Sequence, residues 1–198
     1  MAKRKPSPVP TAPPVSWLGI AAPPASPSVQ AVLDRTREKL GYVRNGQTAL
    51  LARPELVLAQ DALSRSANQN PDSGLSRKEK ELIALIVSSE NRCLPCIFGH
   101  AAALREITGD PVWVAAVEAN FRHAALSPRE RALADYALKI TRVPGEVEAQ
   151  DLSPLRAAGL SDLDILDAAA IAAYFNFSNR INSAIGVVPN AEAYGAFR

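Results

Sequence analysis

The chain has 198 residues and a formal net charge of +2. This length allows one domain with a substantial core. Without a basic stripe, the near balance of charge argues against nucleic acid or an acidic membrane surface as partner. No apolar run approaches the roughly 18 to 20 residues of a membrane span, and the basic start lacks the apolar stretch of a signal peptide. We therefore expect a cytoplasmic protein, where paired cysteines are more often catalytic than structural.

Residues 1–27 form a proline-rich segment that precedes the helical part of the chain. They contain eight of the sixteen prolines, which prevents sustained helix or paired strand. We expect a tail or an arm here. The apolar residues Trp17, Leu18 and Ile20 would allow an extended arm to pack on a neighbouring subunit. The remaining residues, 28–198, are expected to form one helical domain.

The first part of that domain is predicted to be helical. Apolar residues at helical spacing predict an amphipathic helix over 28–40 that Gly41 ends. Two further helices are expected over 47–52 and 54–68, the second opened by Pro54. No segment of the chain alternates as a half-buried strand does. The prediction is an all-α fold, which excludes a thioredoxin-like βαβ arrangement for the two cysteines.

The next stretch predicts a helical hairpin. Ser76 followed by Glu79 is a capping-box signal, and residues 82–87 are all apolar, so this helix should be buried nearly all round. The polar cluster 88–92 breaks the run, and Pro95 suits the first turn of a second helix. The hairpin therefore turns near residues 90 and 91.

Both cysteines and one of the two histidines lie in this hairpin. In an antiparallel pair with that turn, Glu81 and His100 lie level with each other. Cys93, Cys96 and His100 follow at i, i+3 and i+7, so they can share one helix face. We expect one constellation of Glu81, Cys93, Cys96 and His100.

These groups suit thiol redox chemistry. Glu81 can orient the His100 ring as a base beside Cys96, and the helix start favours a thiolate, so both effects are expected to lower the pKa of Cys96. A thiolate that attacks a peroxide becomes a sulfenic acid, which Cys93 can condense to a disulfide. Cys96 is thus the expected nucleophile and Cys93 the resolving cysteine.

The second half of the chain is also predicted to be helical. Helices should begin at Pro111 and, with a second capping box, at Ser127, the latter ending before Pro144. Trp113 is expected in the core, and His123 receives no role. This half has no cysteine, so one site per chain is expected.

The last predicted helix is long. Ser161 caps it and Gly186 ends it, and its run of alanines permits close packing against another helix. Its polar residues Asn176, Asn179 and Arg180 are expected on an exposed face, with a polar interface or a pocket lining as the alternative.

The sequence resembles a known family. Glu81 followed by Cys93-x-x-Cys96-x-x-x-His100 resembles the signature of the alkylhydroperoxidase D-like proteins in the carboxymuconolactone decarboxylase superfamily. GYVRN at 41–45, LSPRERALADYALKIT at 126–141 and AAAIAAYFNFSNRINSAIG at 168–186 are similar to its peroxidase-related branch. The resemblance covers roughly residue 28 to the C-terminus.

The resemblance implies a multi-helix orthogonal bundle and a thiol-dependent peroxidase acting on hydrogen peroxide or organic hydroperoxides. It implies Cys96 as peroxide-reactive cysteine, Cys93 as its partner, and Glu81 and His100 as a proton relay. It also implies re-reduction by a dithiol protein of lipoyl or thioredoxin type, a homodimer, trimer or hexamer, and no cofactor. Pro95 departs from the pattern, because similar alkylhydroperoxidases have a relay histidine there.

Two alternatives remain open from the sequence. The same cysteines could serve a thiol-disulfide oxidoreductase or redox sensor without useful peroxide turnover. A structural zinc site could use Cys93, Cys96 and His100, although a closed site needs four ligands and only His123 is left among the histidines.

Overall fold

The computed structural model describes residues 14–198, and all regular secondary structure in this range is helical. The α-helices are α1 (Pro27–Leu40), α2 (Asn45–Ala49), α3 (Pro54–Asn68), α4 (Arg77–Glu90), α5 (Leu94–Thr108), α6 (Pro111–Asn120), α7 (Pro128–Arg142), α8 (Ser153–Ala157), α9 (Asp162–Ala184) and α10 (Ala191–Gly195). The predicted all-α class is confirmed. Within this range, no helix is both long and apolar enough to span a membrane.

Helices α4 and α5 form the predicted antiparallel hairpin. Ser76 caps α4 in a complete capping box, and Cys93 is the N-cap residue of α5. The two ends of the hairpin are joined by an ion pair between Arg77 of α4 and Glu106 of α5. This pair lies across the open end of the hairpin, in the antiparallel register of the two helices.

Helix α4 is the centre of the molecule. Residues 82–87 are at most 2% exposed, as their apolar run predicted. Ile83, Ala84 and Val87 pack toward α7 and α9, whereas the other three residues pack toward α5 and α6. Because both sides of α4 are covered, no polar stripe is possible along this part of the helix.

The N-termini of α4 and α7 are joined by crossed ion pairs. Lys78 Nζ lies 2.7 Å from Glu130 Oε1, and Arg129 Nε lies 2.7 Å from Glu79 Oε1. Both carboxylates also complete the capping box of their own helix. Each glutamate therefore stabilises its own helix start and the contact with the other helix.

The observed helices differ from the predicted ones in a few places. Helix α2 begins at Asn45 rather than residue 47, because the carbonyl of Arg44 accepts from the amides of Gln47 and Thr48. The five-residue helices α8 and α10 were not predicted. Helix α10 is held by Arg105 of α5, which donates to carbonyl oxygens of the C-terminal segment.

Part of the N-terminal arm contacts the end of α9 in its own chain, while the Trp17, Leu18 and Ile20 side chains remain exposed. The tail prediction for residues 1–13 lies outside the described residues. Trp17 N donates to Ile185 O at 3.0 Å, and Val188 N donates to Val15 O at 2.9 Å. A side chain at Gly186 would collide with the Trp17 indole, so this glycine allows the close contact. The arm follows the end of α9 at this point.

The tryptophan of α6 packs as expected. Trp113 is half-buried against the cluster between α4, α5 and α6. Its Nε1 donates to the carbonyl of Ala125 at 2.9 Å, and Lys78 lies over the ring. The indole therefore has packing and polar partners within the protein.

Candidate active site

The α4–α5 hairpin brings Glu81 and His100 together. His100 Nδ1 and Glu81 Oε2 are 2.7 Å apart, which confirms the predicted register. The His100 side chain is 18% exposed and the Glu81 side chain is 26% exposed, so solvent can reach the pair. The His100 ring also meets Phe175 of α9 edge-on, with ring centroids 4.4 Å apart. The imidazole is thus held by a carboxylate and by an aromatic ring.

The charge of Glu81 is stabilised despite its partial burial. Burial acts to raise the pKa of this carboxyl, but the hydrogen bond and charge of His100 and the nearby charges of Arg44 and Lys39 outweigh it. The pKa of Glu81 is therefore lowered. An ionised Glu81 accepts from Nδ1 and leaves Nε2 of His100 without a hydrogen bond to any residue in 14–198.

The two sulfur atoms form a close pair at the start of α5. The Sγ atoms of Cys93 and Cys96 lie 2.7 Å apart, and both cysteines are free. Cys93 is 1% exposed and Cys96 is 9% exposed. The sulfurs are therefore close enough to share a proton or to form a disulfide, and Cys96 is the more accessible of the two.

The structure corrects the expected thiol ionisation. The hydrogen bond with Cys96 lowers the pKa of Cys93, while the hydrogen bond with Cys93, burial and the neighbouring negative charge raise the pKa of Cys96 well above its usual value. The prediction of a lowered pKa at Cys96 is wrong. The reason is coupling: the pair loses one proton readily, because the remaining thiol donates to the thiolate, and the second proton is then hard to remove.

His100 and the cysteines are not hydrogen-bonded to each other. No hydrogen bond joins its ring to either sulfur in the described part of the chain, and the thiol pKa shifts arise from other groups. The expected base is therefore not hydrogen-bonded to Cys96. Pro95, in the first turn of α5, has no side-chain donor that could link the ring to the sulfur.

Helix α9 supplies polar groups to the sulfurs that sequence reasoning missed. Asn182 Nδ2 donates to Cys96 Sγ at 3.4 Å. Asn179 and Ser183 form hydrogen bonds that act to lower the pKa of Cys93. Their positions at 179, 182 and 183 follow helical spacing and mark one face of α9. That spacing was the signal available in the sequence.

The prediction of an exposed polar face on α9 is only partly correct. Asn179 is completely buried, and both of its polar atoms are hydrogen-bonded. Its Nδ2 donates to Ser88 Oγ at 3.2 Å, and its Oδ1 accepts from Asn91 Nδ2 at 3.1 Å. Asn176 is half-buried and also accepts from Asn91. Only Arg180 is exposed as predicted. Polar side chains at the end of α4 and in the hairpin turn form hydrogen bonds with these amides, which offsets the free-energy cost of burying them.

The remaining candidate ligands do not assemble. Residues 14–198 contain no group of three or more His, Cys, Asp or Glu side chains placed to hold a metal ion, so the hypothetical zinc site of Cys93, Cys96 and His100 is not formed. His123 is exposed at the end of a short turn and takes no part in the site.

Comparisons with known proteins identify the family of the chain. Residues 54–139 match the carboxymuconolactone decarboxylase family. The chain is similar to an uncharacterized peroxidase-related protein from Silicibacter sp. TM1040, with 36% identity, a TM-score of 0.87 and coverage of 97% of this chain and 100% of the other. It is also similar to the alkylhydroperoxidase AhpD core of an uncharacterized peroxidase-related protein from Ralstonia eutropha JMP134. There the identity is 33%, the TM-score 0.88, and the coverage 94% of this chain and 98% of the other.

A more distant likeness concerns the fold alone. The debrominase Bmp8 has 23% identity and a TM-score of 0.72, over 84% of this chain and 88% of the other. No curated protein matches the chain in sequence. The same helical arrangement is thus found in proteins described by different activities.

Proposed function

This chain belongs to the alkylhydroperoxidase D-like, peroxidase-related branch of the carboxymuconolactone decarboxylase superfamily, and from this we propose that it is a thiol-dependent peroxidase. It reduces hydrogen peroxide or an organic hydroperoxide by cycling Cys93 and Cys96 between dithiol and disulfide. The observation that carries the proposal is the pair of free sulfurs 2.7 Å apart, on the same hairpin as the Glu81–His100 pair.

Cys96 is the sulfur that attacks the peroxide. Cys93 is the favoured site of the first negative charge, but the sulfurs are 2.7 Å apart, so the Cys96 proton can pass to Cys93 and leave the thiolate on the more accessible sulfur. Cys96 is 9% exposed against 1% for Cys93. The Cys96 thiolate attacks the terminal oxygen of the hydroperoxide, the S–O bond forms, the O–O bond breaks, and an alkoxide or hydroxide leaves.

His100 supplies the proton that the leaving group needs. Glu81 accepts from Nδ1, so the free Nε2 of a protonated ring can donate to the departing oxygen. The ring makes no hydrogen bond to either sulfur in residues 14–198, so we assign it to the leaving oxygen rather than to the thiol as a base. The product alcohol or water then dissociates.

Cys93 completes the cycle. Its sulfur attacks the sulfur of the Cys96 sulfenic acid, the S–S bond forms, the S–O bond breaks, and hydroxide leaves with the Cys93 proton as water. Both cysteines are thereby oxidised and the peroxide is reduced by two electrons. A dithiol protein of lipoyl or thioredoxin type then attacks the disulfide and restores both thiols. Assembly as a homo-oligomer is part of the same proposal.

A second function uses the same sulfurs without peroxide. The lowered pKa of Cys93 comes from Cys96, Asn179 and Ser183 and not from His100. Thiol-disulfide exchange therefore does not require the histidine. This observation favours a thiol-disulfide oxidoreductase or redox sensor as the second candidate, and the presence of Pro95 points in the same direction.

The test is a thiol count on the reduced full-length protein mixed with one equivalent of cumene hydroperoxide. The peroxidase loses both thiols together, Cys96→Ser loses none rapidly, and Cys93→Ser stops at a sulfenic acid that dimedone traps. If the wild type keeps both thiols but exchanges with a dithiol protein, the second function replaces the first. If Cys96→Ser reacts as fast as wild type, the assignment of the nucleophile is wrong.

A further inference from the structure

Asn182 is buried beside the reactive sulfur with one of its two polar atoms unused. The residue is 7% exposed, and its Nδ2 donates to Cys96 Sγ at 3.4 Å. Its Oδ1 is buried and accepts no hydrogen bond from any group in residues 14–198. A buried acceptor without a donor costs about 1 to 3 kcal/mol relative to a hydrogen-bonded one. The unsatisfied Oδ1 of Asn182 therefore needs an explanation.

Gly46 of α2 borders the unused oxygen. A methyl group added at Gly46 would lie 3.0 Å from Asn182 Oδ1, tighter than ordinary van der Waals contact. Gly46 has no side chain, so its backbone can approach the amide closely. Helix α2 thus places a residue without a side chain next to the amide that is hydrogen-bonded to the Cys96 sulfur.

We propose that Asn182 is a catalytic residue that holds the peroxide oxygen under attack: Nδ2 binds the Cys96 sulfur while Oδ1 accepts the O–H of the hydroperoxide. This inference rests on the proposed function. Because Nδ2 and Oδ1 share one carbon atom, a single oxygen can lie about 3 Å from both the sulfur and Oδ1, which is the distance of a near-attack arrangement. The ligand class is therefore an oxygen that carries a proton, as the terminal oxygen of every hydroperoxide does.

The same contact serves the product of the first step. The attacked oxygen keeps its proton when the O–O bond breaks and becomes the hydroxyl of the Cys96 sulfenic acid. That hydroxyl can continue to donate to Oδ1 while Nδ2 remains on the sulfur. Asn182 would then direct the S–O bond away from Cys93, which leaves the sulfur open to attack by the resolving cysteine.

The test measures sulfenic acid formation by stopped flow in a Cys93→Ser background, with hydrogen peroxide as the probe. Asn182→Leu has similar size and removes both polar atoms. We expect a rate at least about tenfold lower at equal thiolate fraction, as the loss of one well-placed hydrogen bond to the reacting group implies. Circular dichroism and the unfolding midpoint verify that the variant is folded.

Gly46→Ala is the sharper variant, because it leaves Asn182 in place. We expect a rate about three- to tenfold lower with the thiol titration unchanged, since only the Oδ1 side is obstructed. Gly145→Ala is the matched control, because its methyl group would meet nothing within 4 Å. If Gly46→Ala and Asn182→Leu both react as fast as the parent, this inference is overturned and the peroxidase proposal stands. A parent protein that does not react with peroxide overturns both.

Discussion

Cys93 and Cys96 hold their sulfur atoms 2.7 Å apart, and the hydrogen bond between them separates the two proton losses of the pair. The thiolate absorbance near 240 nm should rise in two steps with pH. The first step is expected below the usual pKa of a thiol and the second well above it. A single step for two thiols would contradict this coupling.

Removing the partner sulfur should move the first of these steps upward. In Cys96→Ala, Cys93 loses the donor that is the largest cause of its lowered pKa, so its thiolate should form at higher pH than the first step of the wild type. Cys96→Ser keeps a hydroxyl donor and should fall between the two. The same absorbance titration measures all three proteins.

His100 should matter for turnover and not for thiol ionisation. Because its ring makes no hydrogen bond to a sulfur in the described residues, His100→Gln should leave the thiol titration unchanged. The same substitution should lower the peroxide rate by about 10²-fold or more, as expected when a general acid is lost. A clear shift of the thiol titration in this variant would instead indicate a direct contact with the sulfurs.

Glu81 should contribute stability that acid removes. Its folded pKa is lowered, so its contribution is present above its unfolded value of about 4.3 and is lost as the pH falls through the folded pKa. Urea unfolding of wild type and Glu81→Gln should therefore differ at pH 7, and the difference should shrink below about pH 4. Glu146→Gln, at an exposed carboxylate without an ion pair in the described residues, is the control. A difference that is equal at both pH values would remove the ionised Glu81–His100 pair as its cause.

Asn179 should be a structural requirement of the site. It is completely buried between Ser88 and Asn91, so Asn179→Leu removes its hydrogen bond to each of them and should cost about 1 to 3 kcal/mol of unfolding free energy. Arg180→Ala, at the next and exposed position, should change it by less than about 0.5 kcal/mol. Equal effects of the two substitutions in urea unfolding would contradict the buried network.

The sequence by itself determined the elements and the register of the site. Capping boxes at Ser76 and Ser127 marked the helix starts, because the orphan amides of a first turn need those side chains nearby in sequence. The facing of Glu81 and His100 followed from the length of one short turn. Such features are local, so the sequence carries them directly.

Only the tertiary structure decided how the sulfurs ionise and which amides surround them. Asn179, Asn182 and Ser183 lie more than 80 residues beyond the cysteines, and the first two become buried only when α9 packs on α4 and α5. The order of the thiol pKa values depends on a sulfur-to-sulfur distance and on burial, neither of which is a property of spacing along the chain. Long-range packing sets both, which is why the sequence alone assigned the lowered pKa to the wrong cysteine.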